Sequence, residues 1–271
     1  MSSYPLLSVN MQRHNAAMHS LLETNKSDNI LFVQEPWFDQ VGVQRVDNAR
    51  TGVDVLGGVA HPDWDLFYPF FTNNKWAKVI TYRRKQINGR LNPLRVVPRL
   101  DLVQHNTILI TDIYIGNNLL RAINYYNDVA DSSSFASLTS LELDPTVPTI
   151  LVGDFNIHSR TWSPEGWTRS PNTPPLEQWA ANQTLSLHSH PREITRKGMD
   201  AERPSKLDLT WHNKATESLL SLTPPIIDWS ASLGSNHAGV RTEWVTSDYV
   251  RRDKRPYLNT FRNALDHEDK V

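Results

Sequence analysis

The 271-residue chain has no cysteine, which excludes a disulfide framework, a thiolate metal site and a cysteine nucleophile. A reducing, intracellular compartment is the expectation that follows. Long apolar runs are also missing: nothing approaches the roughly 18 residues that cross a bilayer, and the N-terminus has no charged-then-apolar leader. No membrane partner is therefore expected. Nor is there an excess of one charge, because the formal net charge is −1. The whole-domain basicity that usually marks a nucleic-acid binder is thus absent. Any approach to phosphates must run through local basic loops: Arg83-Arg84-Lys85, Arg95 to Arg99, Arg196-Lys197 through Lys206, or Arg251-Arg252 through Arg255. Each of these also reads as an ordinary solvated cluster.

What is present suits one globular unit. With 39% hydrophobic residues the chain can bury a substantial core. Strand-like runs recur at 31–34, 53–60, 76–82, 108–115, 120–126, 149–152, 207–211 and 238–245. Helical patterns occupy 16–23, 135–143 and 176–185, the last with Thr173 as cap and Pro174 at the first helical position. Strands outnumber helices and do not alternate with them strictly, which disfavours a doubly wound parallel sheet and favours mixed sheets with helices outside. No internal repeat is visible. From residue 246 onward the chain turns charged and sparsely apolar, so a domain over 1–245 and a tail or linker over 246–271 are expected.

The residues that carry chemistry fall at strand ends. Gly153-Asp154-Phe155-Asn156 follows the apolar run Ile150-Leu151-Val152, so Asp154 and Asn156 are expected at a sheet mouth, two apart and pointing the same way. Asn10 follows Leu7-Ser8-Val9. Glu35 closes the 30–34 run ahead of Pro36, which pushes it out of helical backbone space. A carboxylate there suits an oxygen-ligand site for Mg²⁺. Asn124 and Tyr126 share one face of their strand, where a phenol can donate to a charging phosphate oxygen. Asp208 and Thr210 share the polar face of theirs. A buried acid needs a partner, and His237 is the natural one, an Asp–His pair that tunes an imidazole for proton transfer or phosphate contact.

Taken in order, Asn10, Gln34-Glu35-Pro36-Trp37, Asn124-Tyr125-Tyr126, Gly153-Asp154-Phe155-Asn156 with His158 and Trp162, Ser205-Lys206-Leu207-Asp208-Leu209-Thr210-Trp211 and Ser235-Asn236-His237 resemble the successive motifs of the endonuclease/exonuclease/phosphatase superfamily. They resemble most the endonuclease domain of non-LTR (LINE-type) retrotransposons, fungal ones in particular. The resemblance implies a deoxyribonuclease I-like, four-layered α/β sandwich, two mixed sheets packed face to face with helices outside. It implies Mg²⁺ or Mn²⁺ at Glu35 with Asn10 nearby, Asp154 acting on the attacking water, and Asn156 and Tyr126 on the scissile phosphate. Asp208 pairs with His237, which steadies developing charge. Thr195 matches a position on the phosphate backbone, and Asn124, Ser235, Arg196 and Lys206 complete the expected substrate contacts, the last two on a loop matching a hairpin that selects the target.

The activity implied is nicking of duplex DNA to leave a 3′-hydroxyl that a reverse transcriptase of the same polyprotein would use as primer, in the nucleus. A binding module without cleavage and a phosphatase of the same superfamily are the alternatives. One departure matters: the family has Ser-Asp before the histidine, and this chain has Ser235-Asn236. The missing charge is expected to weaken metal binding or mispolarise the water. Natural divergence and a deliberate Asp-to-Asn change both account for it.

Overall fold

The computed structural model describes residues 2–43, 53–69, 76–198 and 202–246. The first sheet is built around the adjacent strands Ser2–Asn10 and Ile30–Gln34, which run parallel. Gly239–Thr246 flanks them on one side and Val79–Arg84 and then Trp64–Phe67 on the other, all antiparallel. The second sheet centres on the parallel pair Asn118–Tyr126 and Thr149–Asp154. Asp208–Asn213 and Leu185–Leu187 lie outside the latter, Ile108–Ile115 and Arg95–Pro98 outside the former. Both sheets are mixed, as expected.

Strand alternation explains the layering. In the first strand Leu6 faces the other sheet, joining Phe32, Ile113, Ala122, Ile150 and Val152 in the inter-sheet core. Leu7 and Val9 face outward and pack with Met18, Leu21 and Leu22 of the Asn15–Thr24 helix. Ile123, Tyr125 and Leu151 do the same on the far side, against Leu138 of the Ser132–Thr139 helix and Leu176 and Trp179 of the Thr173–Asn182 helix. Two sheets with helices on both outer faces give the four-layered α/β sandwich.

The inter-sheet face changes character along the strands, and this positions the site. Leu6 gives way to Ser8 and then Asn10, Phe32 to Gln34, Ala122 to Asn124 and Tyr126, and Val152 to Asp154. Apolar side chains close one end of the sandwich and polar ones gather at the other. Gln34 and Asn124 bridge the sheets there: Gln34 Nε2 donates to Asn124 Oδ1 at 2.6 Å, and Asn124 Nδ2 donates to the carbonyls of Ile80 and Val33 at 2.9 and 3.3 Å. Asn124 is therefore a buried clamp with every polar atom engaged, not the substrate contact its motif suggested.

Several element bounds differ from the sequence reading. The helix expected over 135–143 is Ser132–Thr139, because Asp131 accepts the Ser133 N–H and starts it earlier. The helix expected over 176–185 is Thr173–Asn182. Thr173 does not cap it, since its hydroxyl donates to the His158 carbonyl at 2.6 Å. The run expected over 76–82 becomes Val79–Arg84. Thr246 is the last described residue, so the rest of the expected tail, with Arg251, Arg252 and Arg255, lies outside the described residues.

Candidate active site

Asp154 sits at the centre of the polar mouth. It ends its strand one residue after Gly153, whose φ of +143° and contact distance leave no alternative to glycine: a Cβ there would stand 1.8 Å from the Tyr125 carbonyl oxygen. The Asp154 carboxylate is 1% exposed. Its Oδ2 accepts from Asn10 Nδ2 at 2.9 Å and its Oδ1 from the Asn156 N–H at 3.0 Å. Asn156 lies beyond the strand in a left-handed conformation, φ +48°, and its Nδ2 donates to the Asn127 carbonyl at 3.0 Å. Strand alternation thus stops at Asp154. The expectation that Asp154 and Asn156 point the same way fails because the chain turns between them.

Glu35 shares the Asn10 amide with Asp154. Asn10 Nδ2 donates to Glu35 Oε1 at 2.9 Å as well, while Asn10 Oδ1 accepts the Gln12 N–H at 2.8 Å. Asn10, fully buried, is the bridge that brings two carboxylates to one nitrogen. Glu35 adopts φ +43°, and the neighbouring Gln12 and Arg13 are left-handed too, at +47° and +58°. Non-glycine residues in that region store backbone strain, and such strain concentrates at functional sites. Tyr126 hydrogen-bonds Glu35. Its phenol is held protonated by burial first, then by the charges of Glu35 and Asp154.

On the opposite wall Asp208 and His237 form a buried pair, 2% and 4% exposed, with His237 Nδ1 at 2.9 Å from Asp208 Oδ2 and 3.2 Å from Oδ1. His237 Nε2 lies 3.9 Å from Asp154 Oδ2. Burial opposes a charge on the imidazole, but the adjacent Asp208 and Asp154 carboxylates outweigh it and push the pKa up to about 9. The two carboxylates thus favour the imidazolium form of His237. Asp154 moves up as well, because burial disfavours its charge more than His237 favours it.

Other expected residues hold the frame. Thr195, fully buried, accepts the N–H groups of Leu207 and Asp208 on its Oγ1, both at 3.1 Å, and its carbonyl accepts the Ala238 N–H at 2.7 Å. It grips both sides of the Asp208–His237 pair rather than facing outward to a phosphate. Ser235 is also turned inward, its hydroxyl donating to the Asn10 carbonyl at 2.7 Å and accepting the His237 N–H at 3.1 Å. Lys206 is fully buried and donates to the His190 carbonyl, so it is no surface contact. Arg196 is an edge residue of the expected hairpin: it forms a bridge with Ser205 and another with His237, and its guanidinium pairs with Glu202. Among the other basic clusters, Arg83 pairs with Asp65, Arg99 with Asp101 and Asp112, and Arg95 lies over Tyr114, so these serve the fold.

Gln12 was not singled out in the sequence. Its Oε1 accepts the Asn236 N–H at 3.0 Å and the Ser235 hydroxyl at 3.3 Å, tying the histidine loop to the Asn10 strand. A partner 224 positions away in sequence leaves no local signal.

Asn236 is the odd member. Its backbone is engaged on both sides, but its side-chain Oδ1 and Nδ2 are both buried and without a partner. Buried polar atoms left unpaired are costly, and at a site they point to a missing ligand. With Glu35 and Asp154 drawn together and, among the described residues, no basic side chain paired to either beyond His237, the donor set is carboxylate and carboxamide oxygen. That set fits a hard divalent cation such as Mg²⁺. Asp154, Asp208 and His237 also lie within 4.8 Å of one another as possible ligands. There the His237 Nδ1 is already engaged by Asp208, which leaves the Glu35 side as the better cation position.

Comparison with known proteins agrees with this architecture. Residues 108–241 match the model of a family described as endonuclease-reverse transcriptase. The endonuclease domain of TRAS1, a telomere-specific non-LTR retrotransposon, is 17% identical, covers 90% of this chain and 99% of its own, and superposes with a TM-score of 0.67. A 3′–5′ exonuclease (NExo) from Neisseria meningitidis is 14% identical over 89% of this chain and 100% of its own, TM-score 0.56. An endonuclease/exonuclease/phosphatase family protein from Leptotrichia buccalis is 13% identical over 90% and 100%, TM-score 0.51. None of the curated proteins compared matches significantly. Fold and family match together show a protein with the endonuclease/exonuclease/phosphatase architecture that resembles the endonuclease domains of non-LTR retrotransposons.

Proposed function

We propose that the chain is a metal-dependent phosphodiesterase that nicks one strand of duplex DNA and leaves a 3′-hydroxyl. The observation that carries this is the setting of Asp154, held by Asn10 beside Glu35 on one side and facing the His237 imidazole at 3.9 Å on the other. Hydrolysis joins a water oxygen to phosphorus as the P–O3′ bond breaks; the water loses a proton and the released 3′ oxygen gains one. Asp154, whose proton affinity burial raises, accepts the proton of the water. The His237 imidazolium, oriented by Asp208 through Nδ1, presents Nε2–H to a non-bridging oxygen as charge grows there, and the protonated Tyr126 can donate beside it. A Mg²⁺ or Mn²⁺ ion at Glu35 supplies neutralisation of the phosphate and of the leaving oxygen when bound.

The family match motivates the rest of the proposal: a reverse transcriptase domain of the same polyprotein as partner, primed by the 3′-hydroxyl, and action in the nucleus. Asn236 favours a second reading, a DNA- or protein-binding module that does not cleave, because the unpaired carboxamide stands where the family carries a carboxylate. The test is incubation of supercoiled plasmid with Mg²⁺ followed by a polymerase. Nicked circles that the polymerase extends without prior phosphatase treatment support the nuclease. Nicks that need a phosphatase before extension refute the 3′-hydroxyl chemistry. Binding without nicking, unchanged in Asn236→Asp, supports the module.

A further inference from the structure

The chain has nine tryptophans, and most have an interior role. Trp64, Trp162, Trp179, Trp211 and Trp244 are buried, and Trp37 packs on the core beneath the first helix. The other three, Trp76, Trp167 and Trp229, belong to no core cluster, and each sits on a loop tied to the active site. Trp76, 38% exposed, precedes Lys78, whose carbonyl accepts the Glu35 N–H at 2.9 Å. Trp167 lies on the loop that follows Asn156 and stacks on His158, centroids 3.8 Å apart and planes 14° apart. Trp229 opens the short 3₁₀ turn Trp229–Ser232 just ahead of Ser235 and Asn236.

Two of the three carry a cation on the ring. The exposed Arg13, whose N–H donates to the Glu35 carbonyl at 2.7 Å, places its guanidinium 4.4 Å from the Trp76 centroid. Lys197, whose N–H donates to the Asn236 carbonyl at 2.8 Å, places its ammonium 4.6 Å from the Trp229 centroid. Unlike Arg83, Arg99 and Arg196, neither cation has a carboxylate within ion-pair distance among the described residues. One pair stands beside the Glu35 wall and the other beside the Asn236–His237 wall, so they bracket Asp154. A cation held over an indole keeps its charge for an anionic partner while the ring offers an apolar face. Nucleic acid presents that combination: regularly spaced phosphates with sugar and base faces between them.

We propose that Arg13–Trp76 and Lys197–Trp229 are the two grips by which the protein holds a nucleic-acid duplex across Asp154, with the cations on phosphates either side of the cleaved bond and the indoles against the sugars. This inference rests on the nuclease reading above. It would also let a chain whose formal net charge is −1 hold a phosphate backbone.

The test is fluorescence anisotropy of a labelled duplex in EDTA, which separates binding from cleavage, on Arg13→Gln, Lys197→Gln, Trp76→Ala and Trp229→Ala. Hydrolysis of bis(p-nitrophenyl) phosphate with Mg²⁺ is measured alongside. Each indole variant should bind about 5- to 50-fold more weakly, the range set by loss of one aromatic contact. Each cation variant should lower the slope of log affinity against log salt by about one. Small-diester hydrolysis by Lys197→Gln and the two tryptophan variants should stay at the wild-type rate. Wild-type affinity and salt slope in all four variants would overturn the grips, as would equal loss of duplex binding and small-diester hydrolysis. A wild-type protein that neither binds duplex nor hydrolyses the diester would instead sink the nuclease reading itself.

Discussion

Replacing Thr195 by valine should show how the Asp208–His237 pair is held. Valine keeps the shape and removes the hydroxyl oxygen that accepts two buried N–H groups, those of Leu207 and Asp208 at 3.1 Å each. Thr195 is fully buried, Leu207 and Asp208 are 4% and 2% exposed, and Asp208 faces Asp154 in the antiparallel ladder, where the cross-strand bond is made by Phe155 N–H to the Leu207 carbonyl instead. Leaving a buried donor unpaired costs about 1–3 kcal/mol, so two should cost about 2–5 kcal/mol in urea denaturation. Thr195→Ser keeps the oxygen and should lose no more than about 1 kcal/mol, the worth of a buried methyl group. In single-turnover nicking Thr195→Val should lower kcat more than duplex affinity, because the damage falls on the dyad rather than on an outward contact. A serine variant as unstable as the valine one, or a valine variant that loses duplex affinity at unchanged kcat, would refute the reasoning.

Three further outcomes follow from particular residues. The His237 pKa is raised in the fold, so its pairing contributes stability fully below the unfolded value near 6.5, and that contribution is lost as pH rises through about 9. His237→Gln should therefore cost about 3 kcal/mol in metal-free urea denaturation at pH 6 and much less at pH 10; an unchanging difference would contradict it. Lys206 is fully buried with one hydrogen bond, to the His190 carbonyl, and burial pulls its pKa down to about 8. Lys206→Met should then raise the midpoint of thermal unfolding at pH 7, by about 1–3 kcal/mol of stability, and a lowered midpoint would show that the ammonium has a partner of greater worth. Gly153→Ala drives a Cβ to 1.8 Å from the Tyr125 carbonyl and should cost more than about 4 kcal/mol, read as failure to accumulate soluble folded protein.

Residue periodicity carried much of the fold into view. The 108–115 strand matches its expected bounds, the runs ending at Gln34 and Tyr126 stop at their expected ends, and the run expected over 149–152 continues to Asp154. The strands missed include the six-residue Phe38–Val43 and most of the nine-residue Ser2–Asn10, of which only Leu7-Ser8-Val9 stands out in the sequence. Others, such as Leu185–Leu187 and Ile226–Asp228, are short and owe their pairing to a long neighbour rather than to their own sequence. At the site, strand ends led to Glu35 and Asp154, and the need of a buried acid for a partner joined Asp208 to His237, four residues that the structure brings together. Asn124, Thr195, Ser235 and Lys206, whose motif positions suggested substrate, are instead turned inward. Their polar atoms are consumed by backbone groups of distant segments, and such partners leave no spacing to read. Gln12 escaped notice for the same reason. The left-handed turn at Asn156 also lay beyond the strand rule that placed it.

The central claim is that Glu35, Asp154 and the Asp208–His237 pair form one metal-dependent centre for phosphodiester cleavage. Its most direct test is the initial rate of supercoiled-plasmid nicking with Mg²⁺ and with EDTA, measured side by side for the wild type, Asn236→Asp, Glu35→Gln and His237→Ala. The account predicts nicking that needs Mg²⁺, rises in Asn236→Asp as the missing charge is restored, and falls by at least about 100-fold in the other two. Nicking that persists in EDTA, or a His237→Ala variant as fast as the wild type, would contradict it.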